Sequence, residues 1–287
     1  MPNYRSVSQM GCYTTCPKKY KLSYIDKVEN MTSSAQILGL SLHKAQEFNY
    51  RQKIDSFKDL PLLEIEDFMT EYLMTEFKNN KNNPNFFKVK YGKRETGEDM
   101  LALSRKMLFE LYHEVMINTQ PLFVELGITL NIMGQDFLLY IDLIDDKGII
   151  RDLKTSASKF SEEALDLNTQ LIFYALAYRT KFKKKEKGVG LDVVTKAKAP
   201  AIQQIRGTVS DKDIVRCLDS LRDINKAIEN KIFPPVDNQM TCGWCDFKDK
   251  CLDTDDNNLP DAKVLLERLS KVTVGDKHPN DIRNLKN

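Results

Sequence analysis

No stretch of this 287-residue chain reaches the roughly 18 uncharged apolar residues of a membrane-spanning helix. Met1 to Gly11 also lacks the apolar run of a secretory signal. Those two absences lead us to expect a cytoplasmic protein with no membrane partner. Neither sign of charge prevails, with 43 Lys and Arg against 41 Asp and Glu. Attraction for a polyanion must therefore come from a local patch, and a wrapping protein of the histone kind is excluded. There is no Gly-x4-Gly-Lys-Ser/Thr loop and hence no nucleotide-driven motor. Internal repeats and low-complexity segments are absent. In a reducing compartment the six cysteines are not a disulfide framework, so their spacing is read for metal or redox chemistry. What the chain does have is 41% hydrophobic residues, enough to bury a core in one large domain or two small ones.

From Ser6 to about Ile117 apolar residues recur three and four apart, as in Phe68, Tyr72, Leu73 and Phe77 and again in Leu101, Met107, Leu108 and Leu111, the period of helices. Between the last two, Asn79 to Glu95 reads as a loop. After Pro121 the period changes. Leu122 to Ile132, Phe137 to Ile144 and Gly148 to Lys154 read as three consecutive antiparallel strands. A helix over Glu162 to Tyr178 is expected next, then strands over Val189 to Val194 and Ala201 to Val209, then a helix capped by Ser210 and running to about Asn230. Pro234 to Cys251 is irregular and cysteine-rich, with a short helix near Ala262 to Leu269 before a polar tail. The expected class is α/β of the α+β type: a mixed central sheet flanked by helices. We divide it into a helical region (1–120), a core (121–232) and a cysteine segment with tail (233–287).

Between Phe137 and Thr155 two strands join at a turn around Asp145, Asp146, Lys147 and Gly148. A hairpin centred on Lys147 sets Asp142 opposite Asp152, with Cβ atoms about 5 Å apart, close enough to share one divalent cation. Period two sends Lys154 to the face of Asp152. Two hard oxygen ligands beside an ammonium suit phosphodiester hydrolysis, in which a metal polarises the phosphate and lowers the pKa of an attacking water. The same Asp-x-Lys also occurs as ordinary solvent-facing charge. Gln170 and Tyr174, four apart, share a helix face. Gly39 and His43 open an otherwise apolar helix, while His113 and His278 read as structural. Arg179, Lys181, Lys183, Lys184, Lys185 and Lys187 form either a phosphate-tracking patch or a solvated loop.

Cys242, Cys245 and Cys251 form C-x2-C-x5-C, three thiolates that can wrap a soft metal but leave it one ligand short. The fourth must come from a distance: Cys16 before Pro17, or Cys12 one turn earlier. A zinc knuckle fits this spacing as well as an iron-sulfur centre does. Cys217 sits in an amphipathic helix and reads as a core residue.

As an ordered set, Cys16-Pro17 with Lys18 to Tyr24, Gly39 and His43, Asp142, Asp152-Leu153-Lys154, Gln170 with Tyr174, and Cys242, Cys245 and Cys251 resemble the RecB-like branch of the PD-(D/E)XK nuclease superfamily, including CRISPR-associated RecB-like exonucleases and the AddB nuclease domain. The resemblance implies a restriction-endonuclease-like fold and a metal-dependent DNA exonuclease acting in recombination, repair or processing. It implies that His43, Asp142, Asp152 and the Leu153 carbonyl bind Mg2+ or Mn2+, that Lys154 is the catalytic lysine assisted by Gln170 and Tyr174, and that Cys16, Cys242, Cys245 and Cys251 hold a [4Fe-4S] cluster, with Zn2+ the alternative. The implied partners are DNA that is single-stranded or has single-stranded ends, and a separate helicase or recombination protein where duplex must be unwound. The competing functions are a structure-specific endonuclease on the same fold and a non-catalytic DNA-binding subunit. Leu139 departs from the glycine that the family often has three residues before the first aspartate. Glu125 stands where members often carry an acidic residue.

Overall fold

The computed structural model of the chain describes residues 4–29, 32–82, 89–92, 95–166, 168–243 and 245–252. It falls into two compact units, Met1–Asp246 and Phe247–Asn287. In the first, a two-residue strand β1 (Tyr4–Arg5) leads into α1 (Val7–Thr15), the single turn α2 (Pro17–Tyr20) and a π-helical turn. Three long helices follow: α3 (Ser34–Ser56), α4 (Leu62–Asn82) and α5 (Gly97–Leu111). Then come β2 (Pro121–Ile132), β3 (Gln135–Asp145), β4 (Ile149–Ser156), α6 (Thr169–Phe182), β5 (Gly188–Thr195), β6 (Ile202–Gly207), α7 (Asp211–Glu229) and the short α8 (Gln239–Gly243). In the second unit the described residues contain α9 (Lys248–Leu252). Among the described residues no helix is long and apolar enough to cross a membrane.

Most helix starts are written locally. Ser6, Ser33, Thr96 and Ser210 each accept a hydrogen bond from the backbone N–H three residues on, and the residue there returns one to the cap. Each reciprocal pair satisfies two N–H groups that the helix itself leaves unbonded.

The sheet runs β1-β3-β4-β5-β6, with β2 on the other edge of β3. It is mixed: β1 with β3 and β4 with β5 are parallel, the remaining pairs antiparallel. The fold class expected from the sequence is the one observed. β5 is buried along its whole length, which is why Gly188 to Val194 reads as an apolar run, interrupted by Asp192, and not as an alternation. On one face α1, α6 and α7 bury Met10, Tyr13, Phe173, Tyr178 and Leu221 against Phe137, Ile150 and Leu191. On the other α3, α4 and α5 bury Leu42, Met69 and Met107 against Leu143, Leu153 and Val194.

Several elements differ from the sequence reading. The expected helix over Glu162 to Tyr178 is broken: a 3-10 turn (Glu162–Leu165) ends, and α6 starts afresh with the Asn168 side chain accepting from Leu171 N. Asx side chains that bond the backbone locally favour such starts. The loop expected from Asn79 begins later, because α4 continues to Asn82, and its positions 83–88 and 93–94 lie outside the described residues. The segment read as irregular contains α8 and α9. The helix expected near Ala262 and His278 also lie outside the described residues.

Candidate active site

The β3–β4 ladder has two pairs, Leu143↔Arg151 and Ile144↔Ile150. One step further in this register stand Asp142 and Asp152, where the ladder has ended. Beyond that fork the edge of β3 pairs with β1 at Asp136 and Phe137. The unpaired stretch borders a cavity of about 430 Å³ bounded by the start of α1, by Leu138 to Tyr140 and Asp142, and by Gln170 and Tyr174 of α6. Beside the fork the two-residue alternation of the strands inverts. Ile141 and Ile144 face the same core although they are three apart, while Leu143 faces the other. The β2 residue facing Asp142 in register, Glu125, has φ of +50°, a conformation that costs a non-glycine residue on the order of 1–2 kcal/mol.

Side chains from three elements form a chain of contacts between the two aspartates. The Lys154 ammonium lies 2.7 Å from Asp152 Oδ2 and donates to Gln170 Oε1 at 2.7 Å. Gln170 Nε2 donates to the Tyr174 hydroxyl at 2.8 Å, and that hydroxyl donates to Asp142 Oδ1 at 3.2 Å. From α3, His43 Nδ1 stands 3.3 Å from Asp142 Oδ2. α3 comes this near because of Gly39, one turn before His43: a Cβ there would meet Thr155 Oγ1 of β4 at 3.0 Å.

Asp152 is 1% exposed. Both of its oxygens and Asp142 Oδ2 are buried without a hydrogen-bond partner; the Lys154 ammonium is near enough to Asp152 for ion pairing but does not align as a donor. Such groups are costly to leave unsatisfied, so the donor set is one that fits a hard divalent cation. Among the described residues no three His, Cys, Asp or Glu side chains close into a metal cage. Asp142, Asp152, His43 and the Leu153 backbone are the groups here that could hold such an ion, with waters completing its shell. Burial, joined by the charge of Asp142 and opposed by Lys154, pushes Asp152 up to about 7. Burial pushes Asp142 up to about 6, with Glu125 adding to the rise and Lys154 opposing it. Burial holds His43 below the usual histidine range, against the pull of Asp152, which keeps it in the neutral form able to coordinate. Burial likewise pushes the Tyr174 hydroxyl far up, leaving it a proton donor.

On the α3 side lies a second cavity, of about 420 Å³, lined by His43, Lys44, Glu47, Glu125 and Lys154. Lys44 donates to Glu47 at 2.7 Å. Lys44 and Glu47 carried no signal in the sequence beyond their place one turn after Gly39 and His43. Glu125 is pushed up by burial first and then by Glu47.

The remaining expected residues lie elsewhere. Arg179 is not part of a free basic patch: it binds Glu186, Asp211 and the Val209 carbonyl. Lys181, Lys183, Lys184 and Lys185 follow at the far end of α6; Lys181 is about 16 Å along the helix axis from Gln170. None of the six cysteines is in a disulfide. Burial raises the Cys12 thiol, Lys19 opposes, and Cys16 and Cys245 add to the rise, so both lie within electrostatic range of it. Cys242 donates to the Val236 carbonyl, and Cys251 belongs to the second unit. Cys217 is half-buried against the core, which pushes its thiol up to about 11. His113 packs its ring on Phe109 and Tyr112.

Comparison with known proteins adds three findings. The family model of the PD-(D/E)XK nuclease superfamily matches residues 4–252. The crystal structure of a candidate exonuclease from Eubacterium rectale aligns over 99% of this chain and 93% of its own, with a TM-score of 0.56 and 15% identity. That of SSO0001 covers 84% of this chain and 92% of its own at 15% identity, with a TM-score of 0.34. No curated protein sequence matches the chain.

Proposed function

The chain belongs to the PD-(D/E)XK nuclease superfamily, and from that premise we propose that it is a divalent-metal-dependent DNA exonuclease. The observation that carries this reading is the set of three buried oxygens on Asp142 and Asp152 that accept no hydrogen bond, with Lys154 and His43 at ion-pair distance. Asp142, Asp152, His43 and the Leu153 carbonyl would hold Mg2+ or Mn2+. When bound, such an ion polarises the phosphate and lowers the pKa of water.

In the reaction, water oxygen adds to phosphorus, the bond to the leaving oxygen breaks, and the products carry a phosphate and a hydroxyl. Lys154, held by Gln170, stabilises the negative charge that builds on the phosphate oxygens. Tyr174 spends its proton on one oxygen of Asp142 and so leaves the other free. A preference for single strands or single-stranded ends, and work alongside a helicase or recombination protein, belong to the same reading. The test is end-labelled single- and double-stranded DNA incubated with the protein and Mn2+. Steady shortening from one end, stopped by EDTA and by Asp142→Asn, supports an exonuclease. Internal cuts would make it an endonuclease, and retarded but intact DNA a binding subunit.

We propose further that Cys16, Cys242, Cys245 and Cys251 carry a [4Fe-4S] cluster. The support is chemical: cysteines outside any disulfide, with Cys16 and Cys245 both felt by Cys12, and soft ligands that select iron-sulfur or zinc. Anaerobically purified protein should be brown, with about four irons per chain. Colourless protein with one zinc overturns the choice of metal, and bleaching by Cys12→Ser but not Cys16→Ser overturns the choice of ligand.

A further inference from the structure

We propose that Tyr140 is the platform on which an unpaired nucleobase stacks beside the two aspartates; this rests on the nuclease reading above and names the part of the substrate that the site grips. Tyr140 stands two residues before Asp142 on β3, about 7 Å along the strand, and both line the same 430 Å³ cavity. Tyr140 is 52% exposed, a large apolar side chain left open at a site where Asp152, on the neighbouring strand β4, is buried.

The strand opposite explains how the ring is held. Tyr140 pairs with Gly127 of β2. Three ring carbons lie 3.1–3.9 Å from the point where a Cβ at Gly127 would stand. One edge of the ring thus lies against the glycine, and half of the residue remains open for a flat partner. Gly11 of α1 lines the same cavity, and an added Cβ there would meet nothing within 4 Å. The cavity's volume is in the range that encloses a small ligand.

A nucleobase is the flat group that a substrate with a phosphate at Asp142 and Asp152 carries within a single nucleotide's reach. Stacking on an aromatic ring uses a face that every base has, so it is tolerant of sequence. Within a duplex both faces are already covered by neighbouring bases. The platform therefore selects single strands or frayed ends.

The experiment measures binding of fluorescein-labelled oligothymidine 12-mers, and of 12-mers built from abasic tetrahydrofuran units, to the full chain with Ca2+ by anisotropy. Wild type should bind the thymidine oligomer more tightly. Tyr140→Ala should weaken that binding roughly 5- to 150-fold, the range found for losing one base–aromatic stack. The abasic oligomer should bind both proteins alike, and Tyr140→Phe should keep the preference. Gly11→Leu fills the cavity from α1 and should weaken thymidine binding as well. Equal thymidine binding by wild type and Tyr140→Ala, or an equal loss on the abasic oligomer, overturns the platform. The same thymidine oligomer with Mn2+ separates the two readings. Cleavage without a Tyr140-dependent base preference overturns the platform alone. A Tyr140-dependent preference without cleavage by wild type overturns hydrolysis and leaves the platform standing.

Discussion

Asp152 and Asp192 are both 1% exposed, in adjacent strands of one sheet, yet the protein treats them in opposite ways. Asp192 is saturated. Arg151 meets its Oδ2 at 2.8 and 2.9 Å, Arg206 meets its Oδ1 at 2.5 Å, and Arg151 is further tied to Thr119. Asp152, the very next residue after Arg151, points to the other face and has neither oxygen hydrogen-bonded. A satisfied buried carboxylate is part of the frame, whereas the unsatisfied Asp152 is, on the function proposed above, a metal ligand. The sheet pleat puts the two kinds side by side without mixing them.

Substitution should split them by sign. Asp152→Asn should cut DNA cleavage by at least ~1000-fold, since it removes a metal oxygen and a buried charge together. The same variant should unfold at a higher urea concentration than wild type at pH 8 without metal. Asp192→Asn should do the reverse. It leaves two arginines under-compensated and should lower stability by ~3–5 kcal/mol. If both substitutions destabilise alike in metal-free urea titrations, the distinction between frame and ligand fails.

Lys154→Ala sharpens the comparison at the partner. Its side chain is 32% exposed, so its loss should move the urea midpoint little while lowering kcat by ~100-fold, the scale for one preorganised charge stabiliser. A variant with normal kcat and poor stability would make Lys154 part of the frame.

The smallest expected effect is on pH. The folded chain holds the Asp152 proton up to about 7 and the Asp142 proton up to about 6, whereas unfolded carboxyls lose theirs near 4. Between those values the folded state binds more protons than the unfolded one, so metal-free stability falls as pH rises from 5 to 8, by ~2–3 kcal/mol through Asp152 alone, with Asp142 adding to the fall and the lowered His43 opposing it. Asp152→Asn should flatten the slope, and Mg2+ should oppose it. Stability that rises over this window would show that the pair is ionised and satisfied some other way.

The hairpin register was legible because it is set locally: Asp145 Oδ1 accepts from Lys147 N and Ile149 N, so the turn pins the strands and the aspartates follow by symmetry. The Ser210 cap was legible for the same reason. The inversion beside Asp142 was not, since strict period two assigns Ile141 and Ile144 to opposite faces, and only packing against two different helix layers reveals the slip. Nor was the break before Asn168, where one side-chain bond outweighs a helical pattern. The role of Arg179 was hidden because Asp211 and Val209 lie on an element about 30 residues away in sequence, and charge runs carry no record of such partners. Tyr140 had no signal at all apart from the glycine across the strand.

α1 walls the cavity next to Asp142, but what fastens that end of the chain comes late. Arg5 bonds Asn225, and the Tyr13 hydroxyl donates to the Ile232 carbonyl. On a ribosome adding about 5–20 residues per second, residues 4 to 15 wait on the order of ten seconds or more for those partners to be made. Throughout that interval the hairpin with its aspartates can form from local contacts and β1 can pair with β3, but the hydrogen bonds that tie this end of the chain to the later elements cannot yet be made. The fold thereby assembles its carboxylates early and completes the fastening of the neighbouring cavity wall last.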